Sequence, residues 1–104
     1  MATEREQQFL DMVREFPDSP MGYFSLGKYY LDEKNYALAE SALEHAVKLD
    51  PNYSAAWVAL GDARVELGIP EKAREAFTSA LQTPHGKKDL SLQADVERRL
   101  ADLT

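Results

Sequence analysis

Apolar residues recur along this chain at intervals of three and four, the spacing of one face of an α-helix. The first such run, residues 3–16, places four apolar side chains on one side: Phe9, Met12, Val13 and Phe16. Pro17 follows, and because a residue before proline avoids the helical region, this helix should end near Phe16. No stretch alternates apolar and polar residues with a period of two, so we expect an all-α protein without a sheet.

Turn-forming residues divide the remaining chain into five further predicted helices, over residues 20–32, 36–49, 54–67, 70–82 and 88–103. Ser19 and Asn35 are suited to cap a helix start, as is Thr3, which with Glu6 has the spacing of a capping box. Gly68 is suited to the left-handed conformation that closes a helix. Residues 83–86 have the composition of a loop. The pattern therefore predicts about six helices joined by short turns.

A second regularity in the sequence has a period of 34 residues. Four positions have an equivalent 34 residues later: Tyr23 corresponds to Trp57, Leu26 to Leu60, Gly27 to Gly61, and Pro17 to Pro51. Glycine inside a helix costs roughly 1 kcal/mol relative to alanine, so we expect Gly27 to be there because the second helix of its unit approaches closely. Small residues on that second helix, Ala39 and Ala46, favour such an approach. A fixed period of this length is typical of a repeat array.

These residues resemble the tetratricopeptide repeat family, whose unit of about 34 residues reads W-x2-L-G-x2-Y, then A-x3-F, then P. Two positions depart from that pattern: Arg64 stands where the family prefers tyrosine, and His85 where it prefers proline. The resemblance implies a right-handed α-solenoid of antiparallel helix pairs. We expect one domain over residues 1–104, with a half repeat (3–16), two repeats (20–53 and 54–86) and a C-terminal capping helix (88–103).

In this family the first helices of the units line a concave surface that binds an extended peptide or a partner helix. The resemblance therefore implies a protein-binding scaffold whose contacts come from these residues: Met21, Phe24, Ser25, Lys28, Leu31, Asp32, Ala55, Val58, Ala59, Asp62, Val65 and Glu66. Phe24, Leu31 and Val65 are as readily interpreted as packing against the terminal helices. The alternative function is self-association, in which Phe9, Met12 and Phe16 form a homodimer interface.

The charged residues of this surface limit the kinds of partner that we expect. Family members that hold a peptide carboxylate do so with several basic residues on this surface, and here only Lys28 among the matching positions is basic. The acids Asp32, Asp62 and Glu66 instead predict a ligand that combines a basic or neutral polar group with an apolar one. The chain has a net charge of −6, which opposes binding to the phosphate backbone of nucleic acids.

Composition limits the cellular setting. The chain has no cysteine, and its first residues show neither a basic segment nor an apolar run, so we expect a cytoplasmic protein without a signal peptide. No stretch reaches the roughly 18 apolar residues of a membrane span. One domain of this length can bury enough apolar surface to fold without disulfide bonds or structural metals.

The sequence contains no recognisable catalytic motif, so we predict neither an enzyme nor a bound metal or cofactor. His45 and His85 are expected to be solvated. The pair Glu40 and Glu44 has the spacing of one helix turn, and a nearby lysine makes a solvated helix face the favoured interpretation.

Overall fold

The computed structural model describes residues 2–103 of the chain. That range contains no strand and seven helices: Glu4–Glu15 (α1), Pro20–Asp32 (α2), Tyr36–Leu49 (α3), Ser54–Glu66 (α4), Pro70–Gln82 (α5), Pro84–Lys88 (α6) and Leu90–Ala101 (α7). From α1 to α5 each helix packs against the next in the chain, and α7 packs against α5. The prediction of an all-α solenoid is confirmed.

The predicted helix starts are confirmed in their capping bonds. The side chains of Thr3, Ser19 and Asn35 accept hydrogen bonds from the first turns of α1, α2 and α3. The capping box is formed only in part, because the Glu6 carboxylate accepts a hydrogen bond from the Tyr30 hydroxyl at 2.7 Å rather than turning back towards Thr3. Glu6 therefore ties α1 to α2.

The segment 83–86, predicted as a loop, begins the short helix α6, so that prediction was wrong. Thr83 explains the difference, because its hydroxyl accepts from the Gly86 amide at 2.9 Å and donates to the Ala80 carbonyl at 2.8 Å. Gly86 lies so close to Ala80 that a Cβ there would overlap the carbonyl oxygen. The last helix accordingly starts at Leu90, two residues later than predicted, with Asp89 as its cap.

Close packing at two glycines sets the distance between the helices of each unit. A Cβ on Gly27 would overlap the Leu43 side chain, and one on Gly61 would overlap the Phe77 ring. The prediction that α3 approaches Gly27 is confirmed, although a large side chain rather than Ala39 or Ala46 fills the space. Leu43 and Phe77 are both fully buried.

The core consists of two clusters that share one side chain. The first joins α3, α4 and Ala76 of α5, and the second joins α5 to Val96 of α7. Trp57 packs against both clusters, and its indole nitrogen donates to the Pro51 carbonyl at 2.8 Å. The tryptophan therefore links adjacent parts of the array.

A polar contact between consecutive units recurs with the same 34-residue register. Tyr30 of α2 donates to Glu6 of α1, and Arg64 of α4 donates from Nε to Glu40 of α3 at 3.0 Å. Arg64 also contacts Glu44 and donates to the Lys72 carbonyl. Glu40 is thus not on a solvated face. The arginine that departs from the family pattern makes two ion pairs and one bond to a carbonyl where the tyrosine of the first unit makes one hydroxyl contact.

Candidate functional site

The surface predicted to bind a partner is built on α2 and α4, which contact each other directly. Of its twelve residues, six are exposed, namely Met21, Lys28, Asp32, Ala55, Val65 and Glu66. Phe24, Ser25, Leu31, Val58 and Asp62 are half-buried, and Ala59 is buried. The two helices therefore present a mixed apolar and charged face, with part of the predicted set already used in packing.

The apolar residues of this face differ in how much surface they leave free. Met21 is 60% exposed and Val65 is 40% exposed. Phe24 and Leu31 pack against the first core cluster, and the Phe24 ring lies 4.9 Å from the Tyr53 ring, centroid to centroid. Val58 packs against the second cluster. Met21 and Val65 are consequently the large apolar side chains of this set most available to a ligand.

Asp62 is already paired within the chain. Its carboxylate accepts two hydrogen bonds from the Arg99 guanidinium of α7, at 2.8 and 3.2 Å, and Arg99 also contacts Asp95. The hydrogen bond from Arg99 to Asp62 raises the pKa of the guanidinium, against an opposing effect of burial. The sequence could not reveal this pair, because Asp62 and Arg99 meet only through the stacking of α7 on the array.

Asp32 and Glu66 occupy equivalent positions at the C-terminal ends of α2 and α4. Both are exposed, and neither forms an ion pair with another residue in the described part of the chain. The C-terminal end of a helix carries partial negative charge, so an acid there opposes helix stability by roughly 0.3–1 kcal/mol. Two acids held in this unfavourable position on neighbouring helices are free to attract a cation.

A cavity of about 520 Å³ opens beside this face where α2 and α4 begin. Its lining includes two predicted residues, Met21 and Ala55, together with residues that sequence reasoning missed: Ser19, Pro20, Asp50, Asn52, Tyr53 and Ser54. The missed residues are turn and cap positions, whose composition signals only a helix boundary. The cavity forms because the starts of two helices 34 residues apart are brought side by side.

The histidines lie outside this face. His45 is exposed as predicted, but its ring also stacks on Tyr23, with centroids 4.0 Å apart and an interplanar angle of 13°. His85 contacts Asp89 at 3.0 Å, one turn further along the chain. The pKa of Asp89 is lowered, first by the Leu92 amide that it caps and also by His85. Both histidines therefore have local structural contacts.

Residues 2–103 contain no group of three or more histidines, cysteines or acids arranged to hold a metal ion. Within the same range, every helix is too short or too polar to cross a bilayer.

Comparison with known proteins identifies relatives along most of the chain. The chain is 37% identical over 93 residues to the TPR repeat-containing protein PA0015 of Pseudomonas aeruginosa, a match that covers 88% of this chain and 89% of that protein. It superposes with a TM-score of 0.79 on the solution structure of protein BPP2914 from Bordetella parapertussis, at 27% identity, over 99% of this chain and 89% of the other. The sequence profile described as Tetratricopeptide repeat matches residues 6–53 and 24–87. The chain therefore belongs to the tetratricopeptide repeat family.

Proposed function

We propose that this protein is a scaffold that binds a peptide or partner helix on the face formed by α2 and α4. Proteins of this family generally mediate protein–protein interaction, and the observation that carries the proposal here is the exposure of Met21 and Val65 on these helices. Large apolar side chains left exposed on one face favour contact with a partner, since their burial releases surface water. The cavity beside Met21 supplies the concave shape that such a contact requires.

The charges of the face favour a ligand that is basic as well as apolar. Asp62 is neutralised by Arg99, so the attraction depends on Asp32 and Glu66. These acids lie at the opposite helix ends from the cavity, and a 13-residue helix is about 20 Å long. A ligand that spans the face would therefore place its apolar group and its basic group at separate ends.

Reversal of these two charges tests the proposal. The variant Asp32→Lys with Glu66→Lys should bind the natural partner about tenfold more weakly, because attraction at two rim positions becomes repulsion. The partner is first captured with the wild-type chain from the cell of origin, identified by mass spectrometry, and then titrated in purified form by calorimetry.

The matched control is Glu75→Lys with Glu97→Lys, which makes the same change in net charge at exposed positions of α5 and α7. Equal affinity of the two double variants would contradict the proposed face. Capture of no partner by the wild-type chain would contradict the scaffold function itself.

Self-association is the second candidate function, and the exposure of apolar residues at α1 favours it. No residue of α1 is buried, and Phe16, predicted to lie on its apolar packing face, is 57% exposed. A second copy packed on this helix would cover Phe16 along with the half-buried Phe9 and Met12. Sedimentation equilibrium across a wide concentration range decides the matter: a dimer that Phe16→Glu dissociates supports this candidate, and a monomer at all concentrations rejects it.

For the cellular setting we propose the cytoplasm. The support is the lack of cysteine in the sequence, which suits a reducing compartment. Fractionation of the source cells would test it.

A further inference from the structure

Ser54, the first residue of α4, carries a polar group whose partner is missing from the described chain. The residue is only 9% exposed, lines the cavity of about 520 Å³, and its hydroxyl makes no hydrogen bond to any residue within 2–103. In that range no fully buried side-chain oxygen or nitrogen lacks a partner. The Ser54 hydroxyl is therefore not fully buried, and Ser54 lines the cavity, so the hydroxyl is available to a ligand bound there.

The backbone of α4 adds donors at the same place. The residue before the helix, Tyr53, provides no side-chain cap. The first amides of a helix have no acceptor within it, so the N–H groups of Ser54 and Ala55 are left without one. The start of α2 differs, because Ser19 accepts from the Met21 amide and Pro20 has no N–H to offer. The start of α4 therefore has free amide donors, whereas at the start of α2 the Met21 amide is capped and Pro20 has no N–H.

The rest of the lining determines which acceptor fits. Met21, Pro20 and Ala55 provide apolar wall, and Asp50 provides a carboxylate, which accepts from the Asn52 amide at 3.0 Å. The N-terminal half of the chain, residues 1–52, holds ten acids and five bases. A negatively charged ligand would be repelled here, whereas a neutral carbonyl oxygen next to an apolar and a basic side chain matches all three kinds of lining group.

We propose that this cavity binds the main chain of a peptide through one carbonyl oxygen, held by the Ser54 hydroxyl and the free amides of α4. In this peptide, an apolar side chain next to the bound carbonyl packs on Met21, and a neighbouring basic side chain pairs with Asp50. This inference rests on the proposed scaffold function and assigns it a subsite. It adds main-chain recognition at the start of α4 to the charge recognition assigned to Asp32 and Glu66.

The experiment is a titration of the full chain with N-acetyl-leucyl-arginine amide, followed by amide nitrogen–proton correlation spectra. We expect saturable shifts at Ser54 and Ala55, with a Kd on the order of millimolar for so small a ligand. Ser54→Ala should weaken binding about fivefold because one hydrogen bond is lost. Ser79→Ala, at a half-buried serine of α5 outside this face, should leave it unchanged.

A second variant and a second ligand guard against ambiguity. Ser54→Pro copies Pro20 of the preceding unit, keeps the helix start, and removes both the hydroxyl and the amide donor, so it should weaken binding more than Ser54→Ala. Asp50→Asn should abolish the preference for N-acetyl-leucyl-arginine amide over N-acetyl-leucyl-glutamine amide. The folded state of each variant is verified from its own spectrum.

Three results would overturn the subsite: no saturable shift at Ser54 and Ala55 up to about 20 mM peptide, equal affinity of Ser54→Ala and wild type, or tighter binding of N-acetyl-leucyl-glutamate amide. If the natural partner is still captured by the wild-type chain and lost with Asp32→Lys and Glu66→Lys, only the subsite fails. If no partner is captured at all, the scaffold function fails as well.

Discussion

Lys34 and Gly68 occupy the same position in the two units, and both have a positive φ, 61° and 76° respectively. Each lies just after a first helix and is followed by a residue whose amide donates to a carbonyl five residues earlier: Asn35 to Tyr30, and Ile69 to Arg64. These bonds form the Schellman motif that ends a helix. Glycine adopts this conformation without a steric cost, whereas lysine adopts it only with strain at its Cβ.

Lys34→Gly should therefore raise the free energy of unfolding by about 1 kcal/mol, since the strain of a Cβ in the left-handed region is removed. Gly68→Ala should lower it by a similar amount. Urea unfolding followed by circular dichroism measures both changes. Lys34→Ala is the control, because it removes the charge but keeps the Cβ, and a gain equal to that of glycine would contradict the strain argument.

At the scale of helix pairs, the first and second helix of each unit are held together by the same kind of contact, made with different side chains in the two units. Gly27 meets Leu43 and Gly61 meets Phe77, each pair joining the first and second helix of its unit. Burial of these two large side chains contributes roughly 1.5–3 kcal/mol each. The absent Cβ on the facing glycine is what allows the helices to come close enough for that burial.

Gly61→Ala should lower the free energy of unfolding by about 1–3 kcal/mol, because the added methyl group overlaps the Phe77 ring. Helix propensity alone predicts the opposite, a gain of about 1 kcal/mol. In the Phe77→Ala background the substitution should cost at least about 1 kcal/mol less, since the methyl group then enters a cavity. Additive effects of the two changes in thermal or urea unfolding would contradict direct packing.

Across the whole molecule, which measures 39 × 27 × 19 Å, the two ends of the array are closed in different ways. At the C-terminal end, Val96 of α7 is fully buried and Arg99 pairs with Asp62. At the N-terminal end, α1 buries no residue completely and is held partly by a hydrogen bond from the Tyr30 hydroxyl to Glu6 and by one between Thr3 and Tyr29. Loss of these bonds should therefore loosen α1 first.

Unfolding at alkaline pH tests how much the Tyr30 contact contributes to holding α1. Burial, together with the hydrogen bond to Glu6, raises the pKa of Tyr30 to about 12. The folded chain thus holds this proton more tightly than the unfolded chain, whose tyrosines titrate near pH 10, so the stabilisation is complete below about pH 10 and is lost as the pH rises towards 12.

Tyr30→Phe should cost about 1 kcal/mol at neutral pH and should show a smaller further loss from about pH 10 to 12. Urea unfolding of both chains across this range measures the effect. Tyr36→Phe is the control, because Tyr36 makes no hydrogen bond through its hydroxyl to another described residue. Parallel pH profiles of Tyr30→Phe and wild type would show that the Tyr30 contact does not contribute.

By itself the sequence determined the all-α class, the caps at Ser19 and Asn35, the turn at Gly68 and the close approach at Gly27, because each depends on local spacing or on residue type. The start of α6 at Thr83 was missed although its bonds to Ala80 and Gly86 are local, each spanning three residues. The sequence could not determine that Arg64 reaches Glu40 or that Asp62 is neutralised by Arg99. Those outcomes depend on which residues meet across helices, and the 34-residue register indicates neighbouring units without giving the partner of each side chain.

Only the tertiary structure revealed the cavity at Ser54, since its wall comes from the starts of two helices that are distant in sequence and adjacent in space. A serine at a helix start is ordinary in sequence terms. Its hydroxyl becomes informative once neighbouring residues exclude water from nearly all of the side chain and leave the cavity as its open side.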